Sequence, residues 1–423
     1  MATALKNKNS GWTKTVLNDP KYFQVVGSGV DVWMGKKNFL STKSVQGTKI
    51  VSIESEIDYF NRPSRANMQP KVGRVAFAKM RDTFKVLLTD EELSKFYILS
   101  TGFALIEPKI ESAYLYQVLQ TQRFNLQKDR YAEGSTQQAI SQSDFDKLTI
   151  SFPEDRQEQC KIAEVFSTID DAIEKTDALI EKYKRMKIGM MQDLFRYGVD
   201  DKGKIRSEKT HKFKNSPLGK IPDEWDVGFL DVLGQRGSGH TPSKSHPEYW
   251  NGGIKWVSLA DTYKLDDLYI RDTEQEISNE GIKHSSAVLH PAGTVIVSRD
   301  AAVGKSAILS EPMAVSQHFI VWRCGERLDN HYLYYWLQND KRSFETIALG
   351  STIVTIGLSF FKNYRIPFPK SVVEQKRIAS SLIGIENLIN TEVSYSEKLS
   401  ALKAGLMEDL LTGIVRTNHL ISK

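Results

Sequence analysis

An internal repeat constrains the fold of this sequence more than any other feature. The tripeptide Gly-Ser-Thr at positions 134–136 recurs at positions 350–352, a displacement of 216 residues (350 minus 134). The same displacement persists without a gap for about sixty residues, so that the Glu-Gln pair at 158–159 falls on the pair at 374–375. A repeat of this length predicts two copies of one scaffold within the 423 residues.

The parts of the two copies that precede this stretch correspond more loosely. Gly73-Arg74-Val75 resembles Gly293-Thr294-Val295, and Tyr114-Leu115-Tyr116 resembles Tyr332-Leu333-Tyr334, at slightly larger displacements. We interpret these regions as one fold whose side chains have diverged. Two copies of a scaffold with different side chains present two different surfaces in similar poses, and the sequence therefore predicts two recognition heads.

Each copy also contains a long stretch with the pattern of a helix. About forty residues without proline follow Pro153 and Pro369, residues that can end a strand or precede a helix. Apolar residues in both stretches alternate in steps of four and three, and this 3.5-residue repeat favours two helices that pair along a seam. The predicted seam residues are Ile162, Phe166, Ile169, Ile173, Ile180, Tyr183, Ile378, Leu382, Ile385, Ile389, Leu399 and Leu406.

Polar residues interrupt the predicted seam at Thr176, Lys187, Glu392, Ser396 and Lys403. Forty residues of helix span about 60 Å at about 1.5 Å per residue, so a helix pair of this length would serve as a rigid spacer between two heads. The alternative is that each stretch forms an ordinary amphipathic helix that packs only on its own domain.

Composition argues against several other classes of protein. Cys160 and Cys324 are far apart and belong to no CxxC or Cys/His pattern, so neither a disulfide framework nor a zinc site is predicted. The net charge of +5 permits a polyanionic partner without requiring one. The N-terminus is polar, and no stretch approaches about 18 uninterrupted apolar residues. We therefore expect no secretion and no membrane insertion, and we predict a cytoplasmic protein.

Several motifs resemble those of one family. Residues 216–225, with the sequence SPLGKIPDEW, resemble the start of the second target-recognition domain in type I restriction-modification specificity subunits. Pro, then Glu-Gln, then Ile-Ala occurs at 153–163 and again at 369–379 and is similar to the spacer helices of that family. Residues 240–243, His-Thr-Pro-Ser, are similar to its Gly-Gly-Thr-Pro-Ser element. The first copy departs from the pattern, because it lacks a clear Pro-x-x-Trp motif and a Thr-Pro-Ser loop.

The resemblance implies an α+β fold with two pseudo-symmetric globular target-recognition domains. Each domain is followed by a long helix, and the two helices pair as an antiparallel coiled-coil spacer. Residues 199–220, between the first long helix and the second recognition domain, are polar and basic. We expect them to form an exposed linker, and the alternative is that they contact DNA phosphates. The implied boundaries are 1–153 for the first recognition domain, 154–198 for the central spacer helix, 199–220 for the linker, 221–369 for the second recognition domain, 370–413 for the C-terminal spacer helix and 414–423 for the tail.

The resemblance also implies a function. The chain would be a non-catalytic subunit that binds double-stranded DNA at two half-sites separated by a fixed gap. Its implied partners are two methyltransferase subunits, which methylate adenine, and restriction (motor) subunits, which cleave DNA with ATP. S-adenosylmethionine, ATP and magnesium would then be bound by those partners and not by this chain. The alternatives are a self-contained methyltransferase or nuclease, and a structural coiled-coil adaptor whose heads bind proteins.

Catalytic motifs are mostly missing from the sequence. Gly304-Lys305-Ser306 resembles the end of a phosphate-binding loop, but Arg299 stands five positions before Gly304, where glycine is required. The sequence also lacks the Asn/Asp-Pro-Pro-aromatic element of amino-methyltransferases. We therefore predict no catalytic residues and no metal site in this chain.

Candidate DNA contacts follow from the chemistry of the duplex. Phosphates are bound by Lys, Arg, hydroxyl groups and backbone amides, whereas base edges are read by polar side chains in a groove. For each candidate the alternative is a solvated surface residue, and for the Gly-Ser-Thr segments it is a turn capped by its own hydroxyls. The candidates are Lys43, Ser44, Lys49, Arg62, Arg65, Lys79, Arg81, Ser135, Thr136, Thr241, Ser243, Lys244, Arg299, Lys305, Ser351 and Thr352.

Overall fold

The computed structural model describes residues 11–132, 138–349 and 355–420. The chain folds into two compact units, one formed by Met1–Asp177 with Ser394–Lys423 and the other by Ala178–Val393. Each unit therefore contains one part of each long helix. Among the described residues, no helix is both long enough and apolar enough to cross a membrane.

The first unit is built mainly from short strands. In chain order its elements are β1 (Trp12–Val16), β2 (Phe23–Val26), β3 (Lys37–Leu40), β4 (Val45–Gln46), β5 (Lys49–Ile50), β6 (Ser55–Ile57), β7 (Ala66–Met68), β8 (Val75–Ala78), β9 (Val86–Leu88), α1 (Glu91–Phe96), β10 (Tyr97–Ser100), β11 (Phe103–Pro108), α2 (Ser112–Gln120), α3 (Gln122–Tyr131) and β12 (Thr149–Pro153). One sheet has the strand order β2-β11-β8-β9, and another has the order β6-β3-β10-β7 with β10 parallel to β3. Strand β1 pairs with β12, and the long helix α4 (Arg156–Tyr197) follows.

The second unit has the same kind of construction. Its elements are β13 (Phe213–Ser216), β14 (Gly219–Pro222), β15 (Trp225–Phe229), α5 (Leu230–Leu233), β16 (Gly234–Ser238), β17 (Trp250–Val257), β18 (Tyr269–Ile270), β19 (Glu276–Ile277), α6 (Asn279–Lys283), β20 (Leu289–His290), β21 (Val295–Ser298), β22 (Ser306–Leu309), β23 (Met313–Val315), β24 (Phe319–Cys324), α7 (Asn330–Asn339), α8 (Lys341–Leu349), α9 (Leu358–Lys362) and β25 (Arg365–Pro369). The long helix α10 (Val372–Leu410) follows. We call β1–β12 with α1–α3 the first head, and β15–β25 with α5–α9 the second head.

The two heads share one strand topology. The order β2-β11-β8-β9 corresponds to β16-β24-β21-β22, and β6-β3-β10-β7 corresponds to β19-β17-β23-β20. Before β8 and before β21, a glycine adopts a positive φ, +83° at Gly73 and +82° at Gly293. Each donates a 2.8 Å backbone hydrogen bond to the residue at the end of the neighbouring hairpin, Thr89 or Leu309. Since only glycine adopts this φ without strain, the Gly-x-Val resemblance between the copies marks the same turn.

Each unit has a hydrophobic core to which both long helices contribute. In the first unit, Ile162 and Phe166 of α4 and Leu410 of α10 pack among residues of the first head. In the second unit, Leu194 of α4 and Leu382 of α10 pack among residues of the second head. All five are 4% exposed or less, and burying each contributes roughly 1.5–3 kcal/mol. The apolar stripe of each helix therefore stabilises a head as well as the helix pair.

Within the first unit, α4 and α10 pair in antiparallel orientation. Lys403 Nζ lies 2.6 Å from Asp170 Oδ1, and Ser396 Oγ donates a 2.9 Å hydrogen bond to Asp177 Oδ1. From Asp170 to Asp177 helix α4 advances by seven residues, while from Lys403 to Ser396 helix α10 goes back by seven. Lys403 and Ser396, two of the polar residues that interrupt the seam, are thus paired across it, and a polar pair at the seam favours a single register.

Within the second unit, a second ion pair joins the same two helices. Lys187 Nζ lies 2.9 Å from Glu386 Oε2, and Tyr335 of α7 donates a 2.7 Å hydrogen bond to the same oxygen. Lys187 and Lys403 stand 216 positions apart in the sequence, as do Asp170 and Glu386. The internal repeat has therefore duplicated the ion pair together with the apolar seam.

The Glu-Gln pair that both copies share begins the long helices. Gln159 Nε2 donates to the carbonyl of the last residue of β12 at 2.7 Å, and its Oε1 accepts from the N–H of Glu111 at 2.8 Å. Gln375 makes the equivalent bonds at 2.8 Å, to the last residue of β25 and from the N–H of Asp329. Each glutamine therefore joins three elements: the strand before the long helix, the long helix itself and the first turn of α2 or α7.

The neighbouring glutamates form buried ion pairs with arginines that follow the ends of the long helices. Glu374 accepts from Arg206 at 2.5 and 3.0 Å and from Trp225 Nε1 at 2.9 Å. Glu158 accepts from Arg416 at 2.7 Å through both carboxylate oxygens. A bidentate arginine–carboxylate pair of this kind satisfies both charges where water is excluded. In each unit, the first turn of one long helix is thereby bound to the segment after the other long helix.

Arg206 corrects one expectation from the sequence. It belongs to the basic segment predicted to be an exposed linker, but its side chain is only 6% exposed. The physical reason is Glu374, whose carboxylate is 7% exposed and requires a positive partner in the core. Part of the same segment pairs as the hairpin β13-β14. A Cβ on Gly198, which ends the first long helix with φ +64°, would meet Glu374 and Arg206 below 3 Å, so glycine is required there.

Replacing Glu374 with alanine is expected to lower the free energy of unfolding of the second unit by about 3–5 kcal/mol, because Arg206 would keep a buried charge whose remaining ion pair, with exposed Glu224 at 3.8 Å, is long. Glu158→Ala is the matched control from the other copy. It should cost less, since the side chain of Arg416 is 26% exposed and can stay hydrated. Urea unfolding combined with peptide-resolved hydrogen exchange separates the two units, and equal losses for the two variants would contradict this argument.

Candidate nucleic-acid interface

In the first head, the candidate interface lies where β8 ends. Met80 forms a β-bridge with Ala139, and the N–H of Arg81 donates a 2.9 Å hydrogen bond to the carbonyl of Gln138. The guanidinium of Arg81 also donates to the side-chain oxygen of Gln138 at 3.0 Å. Gln138 follows the Gly-Ser-Thr tripeptide by two residues in the sequence. The fold thus brings the basic strand end, Lys79 to Arg81, against the chain that follows the tripeptide.

A buried lysine holds this turn in place. Lys128 of α3 is fully buried and donates to the carbonyls of Met80 at 2.8 Å and Thr83 at 2.7 Å. Burial lowers the pKa of its ammonium group, and the nearby carboxylate of Asp129 opposes this shift. Because Lys128 fixes both carbonyls on either side of Arg81, the backbone that carries the exposed Arg81 side chain is held in one conformation. Such a rigid support is what positions a cation for a phosphate or a base edge.

The second head repeats this arrangement where β21 ends. Asp300 forms a β-bridge with Thr355, and the N–H of Ile356 donates a 2.9 Å hydrogen bond to the carbonyl of Arg299. The Nε of Arg299 donates to the carbonyl of Ile356 at 3.0 Å. Thr355 follows the second Gly-Ser-Thr tripeptide by three residues in the sequence. The same backbone site therefore occurs in both heads with different side chains.

The His240–Ser243 loop of the second head lies beside this site. The N–H of His240 donates to the carbonyl of Val315 at 3.0 Å, and Thr241 Oγ1 donates to Gln317 Oε1 at 2.5 Å. Trp250 Nε1 donates to the carbonyl of Ser243 at 3.2 Å. A Cβ on Gly239 would overlap the Val315 carbonyl, so glycine permits this close approach of the two backbones. The neighbouring Lys244 is exposed at the surface.

The remaining candidates of the first head differ in their surroundings. Lys43 is exposed, and Lys49 is exposed and 3.1 Å from Asp177. Arg62 lies over the ring of Tyr59 at 4.4 Å, whereas Arg65 forms an ion pair with Glu54. Arg62 is half-buried, whereas Lys43, Lys49 and Arg65 are exposed.

Three other candidates are less accessible. Ser44 is 1% exposed, so its hydroxyl lies below the surface and does not suit a DNA contact. Lys79 is half-buried, and burial lowers the pKa of its ammonium group. Lys305 is also half-buried and donates to the carbonyl of Thr262 at 3.0 Å. The other candidates, Ser135, Thr136, Ser351 and Thr352, lie outside the described residues.

The predicted seam residues face inward along both long helices. Ile162, Phe166, Ile378 and Leu382 are fully buried. Ile169, Ile180 and Ile385 are also buried, at 8% exposure or less. The other seam residues are half-buried, namely Ile173, Tyr183, Ile389, Leu399 and Leu406.

Two features of the site had no recognisable signal in the sequence. Trp12 begins β1 opposite Pro153, as Trp225 begins β15 opposite Pro369, so Trp12 is the counterpart of Trp225 in the first head. Only its flanking Pro-x-x motif is absent. Gln317 and His318 also lie at the second site, and they come from a β23–β24 loop that no motif marks.

The comparisons with known proteins agree with this architecture. Residues 30–182 and 222–400 match the model of a family described as the type I restriction modification DNA specificity domain. The chain is 31% identical over 200 residues to the type I restriction enzyme MjaIX specificity subunit of Methanocaldococcus jannaschii, a match that spans 47% of this chain and 46% of that relative. The MjaVIII specificity subunit of the same organism is 26% identical over 78% of this chain and 76% of its own length.

A solved structure has the same fold. The S subunit of a type I restriction-modification system from M. genitalium superposes with a TM-score of 0.60 at 15% identity. The superposition covers 97% of this chain and 98% of that chain. At this identity the likeness concerns the fold, and it extends over both heads and both long helices.

Replacing Arg81 with alanine is expected to weaken DNA binding by a similar factor for all sequences, because its position on a rigid strand end suits a phosphate contact. The slope of log K against log salt should fall by about 1. Lys109→Ala is the control, since Lys109 follows the opposite end of the same sheet and donates to the carbonyl of Pro20. Salt titrations of fluorescent duplexes provide the measurement, and an unchanged slope for Arg81→Ala would remove it from the interface.

Proposed function

The chain belongs to the type I restriction-modification DNA specificity family, and we propose that it reads a DNA target made of two half-sites, one bound by each head. One observation carries this proposal. The two heads build the same strand-end site on one topology, with Lys79 and Arg81 in the first and Arg299 and Asp300 in the second. A shared backbone fixes where each surface meets DNA, and the different side chains select different bases.

The long helices set the distance between the half-sites in this proposal. Helix α4 has 42 residues and α10 has 39, which correspond to about 60 Å of helix. The polar pairs in the seam, Asp170–Lys403 in one unit and Lys187–Glu386 in the other, oppose sliding of one helix along its partner. A helix pair with one register gives one gap between the half-sites.

The chemistry is assigned to partner subunits. We propose that two methyltransferase subunits bind around the internal two-fold of the repeat and that restriction (motor) subunits join them in the cytoplasm. Those subunits bind S-adenosylmethionine, magnesium and ATP, while this chain supplies recognition and no catalytic group. The outer faces of the long helices suit docking, because Ile188 is 58% exposed and Leu402 is 52% exposed.

The decisive experiment is co-expression of this chain with its cognate methyltransferase subunit, followed by single-molecule sequencing for methylated adenine. A split motif with a fixed gap, lost when this chain is deleted, is the expected result. A well-formed complex that yields no motif would contradict the proposal and favour a structural adaptor whose heads bind proteins.

Removing one heptad from both helices is expected to shorten the gap without changing the half-sites. Deletion of residues 177–183 together with 390–396 removes the Asp177–Ser396 bond but keeps Asp170–Lys403 and Lys187–Glu386 in register. Seven residues correspond to about 10 Å, or about 3 base pairs. Sequencing of the methylated motif measures the gap.

A single deletion of residues 177–183 provides the control for this design. It shifts α4 against α10 by one heptad and separates one of the two lysine–carboxylate pairs, so the helix pair should be destabilised and methylation reduced. If the double deletion changed the recognised bases and left the gap unchanged, the helices would not determine the spacing.

A further inference from the structure

A continuous chain of side-chain hydrogen bonds crosses the candidate site of the second head. His318 Nδ1 lies 2.8 Å from Asp300 Oδ2, and His318 Nε2 lies 3.4 Å from Gln317 Nε2. Gln317 Oε1 accepts from the hydroxyl of Thr241 at 2.5 Å. Thr355 donates to the other oxygen of Asp300. These five residues come from four separate segments of the second head, all around the end of β21.

The chemistry of these groups determines which atom donates and which accepts in each of these hydrogen bonds. A carboxylate only accepts hydrogen bonds, so Nδ1 of His318 must donate to Asp300. In the neutral imidazole, Nε2 is then left as an acceptor, and the amide nitrogen of Gln317 donates to it. The amide oxygen of Gln317 is correspondingly the atom that faces the Thr241 hydroxyl. The orientation of the Gln317 amide is therefore set at the His318 end, and the Thr241 hydroxyl, which can donate or accept, donates to the oxygen that this orientation presents.

We propose that Gln317 reads an adenine in the half-site bound by the second head, an inference that rests on the proposed function. Gln317 is exposed, and after these two bonds its amide keeps one N–H and one oxygen lone pair. A donor and an acceptor side by side on one amide complement N7 and the N6 amino group of adenine in the major groove. Asp300, His318 and Thr241 act as positioning residues, because they hold the amide before DNA arrives.

The first head lacks this arrangement at the same place in its fold. Phe103 pairs with the last residue of β8, as Phe319 pairs with the last residue of β21. By this register Gly102 occupies the position of His318, and Thr101 occupies that of Gln317. The backbone bond is retained, since Gly102 accepts from Lys79 as His318 accepts from Arg299, both at 3.0 Å. The inference therefore concerns one half-site only.

Gln317→Ala is expected to change the methylated motif at one base pair. Co-expressed with the methyltransferase subunit, the variant should accept any base where the wild type requires adenine, while the other half-site and the gap stay the same. Gln275→Ala, an exposed glutamine elsewhere in the second head, is the matched control and should leave the motif unchanged. An unchanged motif for Gln317→Ala would overturn the inference.

Gln317→Ala could abolish methylation altogether instead of changing the motif. In that case the variant Gln317→Glu tests the inference. A glutamate only accepts hydrogen bonds and favours the N4 amino group of cytosine. Methylation of a motif in which cytosine replaces that adenine supports the inference, whereas no methylation with either variant in a complex that assembles normally overturns it. A wild-type complex without any split motif would instead contradict the proposed function itself.

A binding measurement identifies the atom that is read. Replacing that adenine by 7-deazaadenine removes the N7 acceptor, one of the two hydrogen bonds of the contact, and should weaken binding by the wild-type complex roughly 2- to 10-fold. The Gln317→Ala complex should bind both duplexes equally, and a loss as large as that of the wild type would overturn the inference.

Thr241 tests the positioning role separately. Thr241→Val removes the hydroxyl at nearly constant shape and should reduce the discrimination between adenine and 7-deazaadenine. Thr241→Ser keeps the hydroxyl and should restore that discrimination. If both variants discriminated as the wild type does, Thr241 would not orient the Gln317 amide.

Discussion

The buried arginine–glutamate pairs are the constraint on which the rest of the structure depends. Glu158 and Glu374 lie in the first turns of the two long helices, where the helix dipole favours a negative charge. Each is bound by an arginine from the segment that follows the opposite long helix. Because both glutamates are buried and each requires its arginine, the pairs form only when the helices lie in one register and one direction. The position of each head relative to its own part of the helix pair follows from this contact.

The polar residues of the seam also favour a single register of α4 against α10. An all-apolar seam tolerates shifts by a heptad, because each apolar residue meets another apolar residue after the shift. Lys187 opposite Glu386, and Lys403 opposite Asp170, would lose their partners in any shifted arrangement. Some stability is exchanged for a single alignment, which a spacer of fixed length requires.

The sequence predicted the features that depend on local pattern or on the repeat. The two heads, the seam and the helix starts follow from periodicity and from the displacement of 216 residues. The repeat does not reveal the roles of Arg206 and Arg416, because these arginines stand 210 positions apart, out of register with the glutamates they bind. The site around Gln317 could not be predicted from the sequence for another reason. Its members, such as Thr241 and Thr355, are far apart in the sequence and meet only when the sheets of the second head are formed.

The division of the chain into units also has a consequence for the order of biosynthesis. The second unit is a continuous segment, Ala178–Val393, whereas the first is completed only by Ser394–Lys423. Leu410 and Leu411 fill part of the core of the first unit, and Arg416 neutralises Glu158 there. During synthesis, residues 1–177 therefore emerge from the ribosome first, but the core of the first unit stays incomplete until Ser394–Lys423 have also emerged. Nascent chains truncated before α10 would lack Leu382 in the core of the second unit and Leu410 in the core of the first, and the buried carboxylate of Glu158 would have no arginine partner. Protein quality control recognises such a state as incomplete.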